Sequence, residues 1–450
     1  MQFFKTIIRL TRGFIGLHKK IYSLSNLLAW DNLIATALIF VMFWTIGEIA
    51  GRFNILDPIG DAFADVEITD VIYSQLDKNS SYRGEFNDDG DWVSEPSEVV
   101  IVNIGHLGRY HIARMVDSIS QCSPSVIGID ALFQDSLDAR VDFNLAKSFA
   151  EDSNIVIVSR AHYNTKTKVF DSIVEPYELF QMTSATAPAN MAINAKKGSG
   201  TTTVCRDFFT RIDVKGENKT PFPVLIAQMH KPESVQKLLD RGNQIEKINY
   251  VGNIDVVGYE QLYKEKNNYT ALADKKHFRA FEFSDVLEGR FEPEDFKDKI
   301  VLLGYLGDEI YVHAAEDKFF TPLNEKYVGK TSRDMYGVVV HANIIHTIIN
   351  ENYVNKMPDW TKHLTGILVV FLVIASFRPI YNDYKVWYDG LTKILGIILT
   401  FLIIAIIGAV FDSFNYEIKF GAIYFGCILL AGDFLEVYYG LLKNIVRYSK

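Results

Sequence analysis

The chain has 450 residues and a net charge of −9, with 48% hydrophobic, 22% charged and 13% aromatic residues. That length leaves room for more than one domain, and the aromatic share excludes a disordered chain. Residues 51–363 hold 34 Lys+Arg against 47 Asp+Glu, while the rest hold 12 against 8. The central bulk is therefore acidic and lacks the clustered cations that a nucleic-acid face requires. Three cysteines without paired spacing exclude a disulfide scaffold and a Cys-rich zinc site.

Residues 1–31 carry Lys5, Arg9, Arg12, Lys19 and Lys20 among Phe3, Phe4, Ile7, Ile8, Phe14 and Ile15. The pattern suits a helix in the inner headgroup layer or a short cytoplasmic helix, and no cleavage site marks a signal peptide. Four stretches have the length and apolarity to cross about 30 Å of hydrocarbon. They lie within residues 32–50, 360–381, 394–411 and 420–442. Lysine and arginine concentrate in residues 1–31, in the loop 378–393 and in the tail 443–450, whereas DSFNYEIK (412–419) has two acids and one lysine. By the positive-inside bias both termini are expected in the cytoplasm, and residues 51–359 outside it.

Between the first and second spans, strand-length apolar runs alternate with helical spacing. VVIVNI (99–104), SVIGID (125–130), NIVIVS (154–159) and KIVLLGYL (299–306) predict strands. Ile112, Met115, Val116 and Ile119 fall at helical spacing, with further helices expected around 142–149, Val286 and 337–352. This alternation predicts an α/β domain with a mainly parallel sheet. Weaker strands are expected at 190–195, 203–212 and 248–252, and the polar stretches 161–188 and 253–278 read as surface insertions.

The succession of motifs resembles the second type of CHASE domain, the cyclase/histidine-kinase-associated sensory extracellular domain. VVIVNIG matches its opening strand, VIGIDALF its G-x-D strand with Asp130, and VDFNLA the following aspartate, Asp142. FSDVLEGRF and FKDKIVLLG match its helix-then-strand element, with Ser284, Asp285, Leu287, Lys299 and Gly304. Asp317, Thr321 and Pro322 match its D-x-x-x-T-P, and GVVVHAN its closing helix with Gly337, His341, Ala342 and Asn343. The resemblance covers about residues 60–355 and implies one span before and three after a sensory domain. Where the family usually has an acidic pair ending the first strand, this chain has Asn103 and His106.

In an open α/β sheet, ligands sit beyond the carboxyl ends of strands. That rule assembles Asn103, His106, Asp130 and Arg160 as candidate ligand-binding residues. The alternative has Asp130 capping a turn and the others solvated. Asp317 and Thr321, with His341 and Asn343, read first as structural, the His-x-Asn pair bonding the D-x-x-x-T-P loop beside the membrane stalk. Within the last span Asp433 and Glu436 share one helical face, where Lys393 is placed to neutralise one and a partner protein the other. His313 and Asp317, or His341 and His346, lack a third ligand at a recognised spacing, so no metal is expected and no cofactor is implied. Cys122 and Cys205 both fall outside, one closing a helix and one in a strand, and read as unpaired thiols. Neither G-x-S-x-G, P-loop nor kinase motifs occur, and the sequence reads as non-catalytic.

Two functions fit. One is a bacterial inner-membrane sensor whose outer domain binds a small ligand or envelope signal and relays it through its helices to a separate protein. The family often carries catalytic domains after the last span, but the cytoplasmic pieces here total about 55 residues, below a domain's size. The other is a structural or assembly subunit that uses the outer domain as a docking platform. Expected partners are the bilayer, a separate membrane or cytoplasmic protein, a small molecule and a second copy of the chain.

Overall fold

The apolar stretch after residue 32 folds within α1 (Trp30–Phe53), the first long helix of the computed structural model, which describes residues 24–53, 84–86, 92–94, 97–152, 154–192, 204–256, 276–310, 316–324 and 333–448. The basic segment up to residue 23, the Gly/Thr run 198–203 and His313 lie outside the described residues. The chain divides into two units, Met1–Asp61 with Asn355–Lys450, and Ala62–Val354.

In the central unit β1 (Val99–Asn103) leads to α2 (Arg109–Ser120), β2 (Val126–Ile129), α3 (Ala139–Glu151) and β3 (Ile155–Asn164). β4 (Val169–Val174), β5 (Ala185–Pro188), β6 (Ile212–Val214) and β7 (Glu217–Lys219) follow, then α4 (Phe222–His230) and α5 (Pro232–Asp240). β8 (Asn253–Val256), β9 (Lys276–Phe281), β10 (Ile300–Gly304) and α6 (Gly337–Ile349) complete it. The strands form one sheet in the order β7-β6-β4-β3-β2-β10-β1-β9-β8, with β5 also on β3. From β3 through β8 every neighbouring pair is parallel.

Every residue of β1, β2 and β10 is buried, as expected where helices cover both faces of a parallel sheet. On one face Val100, Val102, Ile127, Ile129, Val301 and Leu303 pack with Ile112, Met115, Val116 and Ile119 of α2 and with α3. On the other face α4 and α6 come close because two strand positions are glycine. A Cβ on Gly128 would stand 2.5 Å from Ile226, and one on Gly304 2.5 Å from Val338. Both glycines belong to motifs singled out above.

The four strong strands are present, and β3 is longer than expected because its outer half pairs antiparallel with β4. Of the weak strands, the one expected at 203–212 is present as Asp207–Phe209, paired with Ile245–Lys247. The described part of 190–195 holds only an isolated bridge at Ala192, residues 193–203 lie outside the described residues, and 248–252 forms no strand. Nor is 161–188 a mere insertion, since β4 and β5 join β3; of 253–278, the ends pair as β8 and β9 at the far side of the sheet, and 257–275 lie outside the described residues. These strands lie toward the margins of the sheet, half-exposed along β4, so the apolar periodicity that reveals a buried strand is diluted there.

The second unit gathers α1 with α7 (Asp359–Asp383), α8 (Tyr388–Phe414) and α9 (Ala422–Tyr448). Among the described residues three helices are long and apolar enough to cross a membrane, at Asp359–Asp383, Tyr388–Phe414 and Ile423–Lys443. The apolar part described for α1, Trp30–Ile46, is shorter than a full span. α9 packs against α1, α7 and α8. Arg378 on α7 bonds Asp31 (3.3 Å) and the Tyr439 hydroxyl (3.1 Å), and Asn26 donates to the Ala375 carbonyl (2.7 Å). Lys393 on α8 reaches both Asp389 (2.7 Å) and Asp433 on α9 (3.6 Å), while Glu436, one turn on, is exposed.

Candidate functional site

A cavity of about 420 Å³ opens beyond the carboxyl end of β2 and beside the middle of β3, against the first turn of α6. Its polar lining is Asp130, Ser159, Arg160, Asn190, Asp317 and His341, and Leu132, Val158, Met191 and Phe319 add apolar surface. Asp130 follows the last residue of β2, and Arg160 stands where β3 exchanges β5 for β4 as partner. The Asn190 side chain bonds both the N–H and the carbonyl of Ala161, each at 2.8 Å, and so fixes that exchange point.

Asp317 enters from the opposite wall in the left-handed region, φ +49°, an uncommon conformation for a residue other than glycine. Its carbonyl accepts the Gly337 N–H at 3.0 Å. Its carboxyl lies so near that a Cβ on Gly337 would stand 3.1 Å from Oδ2 and 3.2 Å from Phe319. Glycine at the head of α6 keeps this carboxyl in place. Although Asp317 as a residue keeps solvent contact, desolvation of the carboxyl, reinforced by Asp130 and opposed by Arg160, raises its pKa to about 7. Burial raises Asp130 to about 6 against the opposing pull of Arg160.

His341, one turn into α6, is 2% exposed, with the Phe222 ring 5.2 Å away edge-on. Burial lowers its pKa to about 3, so the imidazole is neutral. Among the described residues its Nδ1 has no hydrogen-bond partner. A buried polar atom without a partner is uncommon enough to require a reason.

The two candidate sets read from sequence thus contribute half their members to one cavity. Asp130 and Arg160 come from the strand-end set, Asp317 and His341 from the set read as structural. Asn103 is absent from the lining because its amide is engaged elsewhere. It donates to Glu282 (3.1 Å) and to the Gly307 carbonyl (3.1 Å), and accepts from the N–H groups of Gly105 (3.0 Å) and Leu306 (2.9 Å). His106 also lies outside the lining, exposed beside Tyr305 and 3.2 Å from Asp308.

Thr321 and Asn343 are brackets. Thr321 bonds Asp334 through both its N–H and its hydroxyl. Asn343 accepts from Val251 N–H (2.9 Å) and donates to the carbonyls of Gly252 (3.0 Å) and Val339 (2.9 Å). The bond expected between His-x-Asn and the D-x-x-x-T-P loop is replaced by this clip onto 251–252, because Asp334 already satisfies Thr321. Asp142 is a buried ion-pair partner of Arg109 (2.5 Å) and also accepts from Ser136 (2.8 Å) and Leu137 N–H (3.0 Å). It anchors the loop that leaves Asp130.

Sequence reasoning missed Ser159, Asn190 and Met191. Ser159 and Asn190 flank the partner exchange of β3, which no local pattern announces, although Asn190 follows an Ala-Pro-Ala run with turn character. Among the described residues no cluster of three or more His, Cys, Asp or Glu is arranged to hold a metal. Cys122 and Cys205 are buried free thiols.

Comparison with curated proteins and with solved structures gave no match. The description CHASE2 domain matches residues 82–376, which takes in the whole sheet, the cavity and the head of α7. With that match over most of its length, and with membrane-length helices after the sheet domain, the chain belongs to the CHASE2 family of extracellular sensory domains.

Proposed function

We propose that the protein is a bacterial inner-membrane sensor, non-catalytic itself, whose periplasmic CHASE2 domain binds a small ligand in the 420 Å³ cavity. The observation that carries this reading is a cavity that gathers two carboxyls, a guanidinium and the buried His341. A concave site with few convergent polar groups and perturbed acids is the form ligand sites take. In this reading α1 crosses the bilayer with α7, α8 and α9, both ends of the chain are cytoplasmic, and the signal passes through the helices to a separate protein. The exposed Glu436 supports that last step, since a carboxylate inside a span calls for a cation from elsewhere.

Thermal unfolding of the full chain in detergent, screened against small polar metabolites, tests the reading. A true ligand at about 100 times its Kd adds roughly 2.7 kcal/mol, a shift of several degrees. Asp130→Asn should abolish that shift. Absence of any stabilising compound, together with stoichiometric co-purification of an envelope protein, would favour the docking-platform function instead.

A further inference from the structure

The ligand-binding reading leaves open what chemistry the cavity accepts, and its polar groups divide by position. Asp130, Asp317 and His341 line the cavity together. Arg160 lines it as well but is exposed, and among the described residues it makes no ion pair. It is near enough to both acids to oppose their raised pKa values, yet it does not neutralise them. The guanidinium is therefore available to something that enters.

A primary ammonium has three N–H donors and no acceptor. The two carboxylates that line this cavity supply acceptors for them. A guanidinium suits a carboxylate through paired N–H donors. The volume of about 420 Å³ stands near the small end for ligand pockets, and Leu132, Val158, Met191 and Phe319 offer apolar surface for a short carbon skeleton.

We propose that the cavity takes a small amino-acid-like zwitterion, its primary ammonium held between Asp130 and Asp317 and its carboxylate on Arg160. The assignment rests on the ligand-binding reading and narrows it to one chemical class. It accounts for two acids and an exposed arginine that share one cavity with no ion pair from that arginine among the described residues. The raised acids fit as well: an arriving ammonium stabilises their charged forms and releases a proton.

Isothermal titration of the full chain in lipid nanodiscs provides the test, with glycine, β-alanine, γ-aminobutyrate and the common L-amino acids as probes and propylamine and butyrate as single-charge controls. At least one amino acid should bind 1:1 with a Kd below about 1 mM, with both controls at least about tenfold weaker. Arg160→Gln should bring the best amino acid down to the level of propylamine. Asp317→Asn should weaken it by about tenfold or more without lowering thermal stability. Propylamine or butyrate binding as tightly as the best amino acid would overturn the zwitterion, as would a panel in which nothing binds. If an uncharged metabolite binds instead and Asp130→Asn abolishes it, the sensory reading stands and only the ligand class fails. If nothing of any class binds, both fall.

Discussion

Asp317 combines a left-handed backbone with a carboxyl whose pKa rises to about 7, and the pair makes a pH signature. Its folded pKa lies above the unfolded value of 3.8, so the native state holds this proton more tightly. Its contribution to stability is full below about pH 4 and is lost as pH rises through about 7. Asp130 acts in the same sense up to about 6, while His341, lowered to about 3, acts oppositely and costs stability as pH falls below 6.5. Asp317→Asn removes only the first of these, so its melting temperature should exceed the parent's at pH 8 and match it near pH 4. A constant offset across that range would show the carboxyl titrates normally. Asp142 is the other residue with a sharp expectation. Asp142→Asn leaves Arg109, 8% exposed between Phe133 and Phe180, without its counter-charge, and should cost about 3–5 kcal/mol in urea unfolding. The double change Arg109→Met with Asp142→Leu should recover most of that loss. Sequence marked both aspartates through family motifs but not that one holds a loop and the other a cavity. That difference depends on which partner each meets across the fold.

At the level of elements, legibility followed burial. VVIVN and IVLLG, covered on both faces, announced themselves, whereas VFDSIV and NIDV at the sheet margins did not. α4 was passed over although Pro223 stands in its first turn, a position where proline starts helices. Its apolar run FPVLIA lies in the sheet's shadow and shows little periodicity, since Phe222, Val224, Ile226 and Ala227 are all buried. Gly128 and Gly304, in contrast, were visible as motif positions, and their meaning is now mechanical: they set how near α4 and α6 approach. In α9 the two acids that share a face differ in surroundings, Asp433 held by Lys393 and Glu436 left exposed. Single replacement Glu436→Leu should therefore reduce capture of a partner in mild detergent severalfold, while Asp433→Leu should chiefly loosen α9 from α8. Equal capture by the Glu436→Leu protein and the parent would confine both acids to the helix bundle.

For the whole molecule, orientation was read from loop charge alone, and reporter fusions measure it directly. Fusions after Asn164 and after Lys450 should report opposite compartments; a shared compartment would refute the topology. Sheet and helices were largely readable because each draws on local pattern. The cavity was not, because its walls come from a strand end near 130, the middle of a strand near 160, and a turn and helix beginning near 317 and 337. Such construction has a consequence of its own. An occupant touching Asp130, Arg160, Asp317 and His341 at once acts as a removable cross-link between segments more than 150 residues apart. One end of that cross-link is the first turn of α6, and only nine residues separate the end of α6 from the start of α7. Fastening the chain there restrains the last covalent connection before the membrane-length helices. Amide hydrogen exchange along α6 is accordingly the place where occupancy should first be seen.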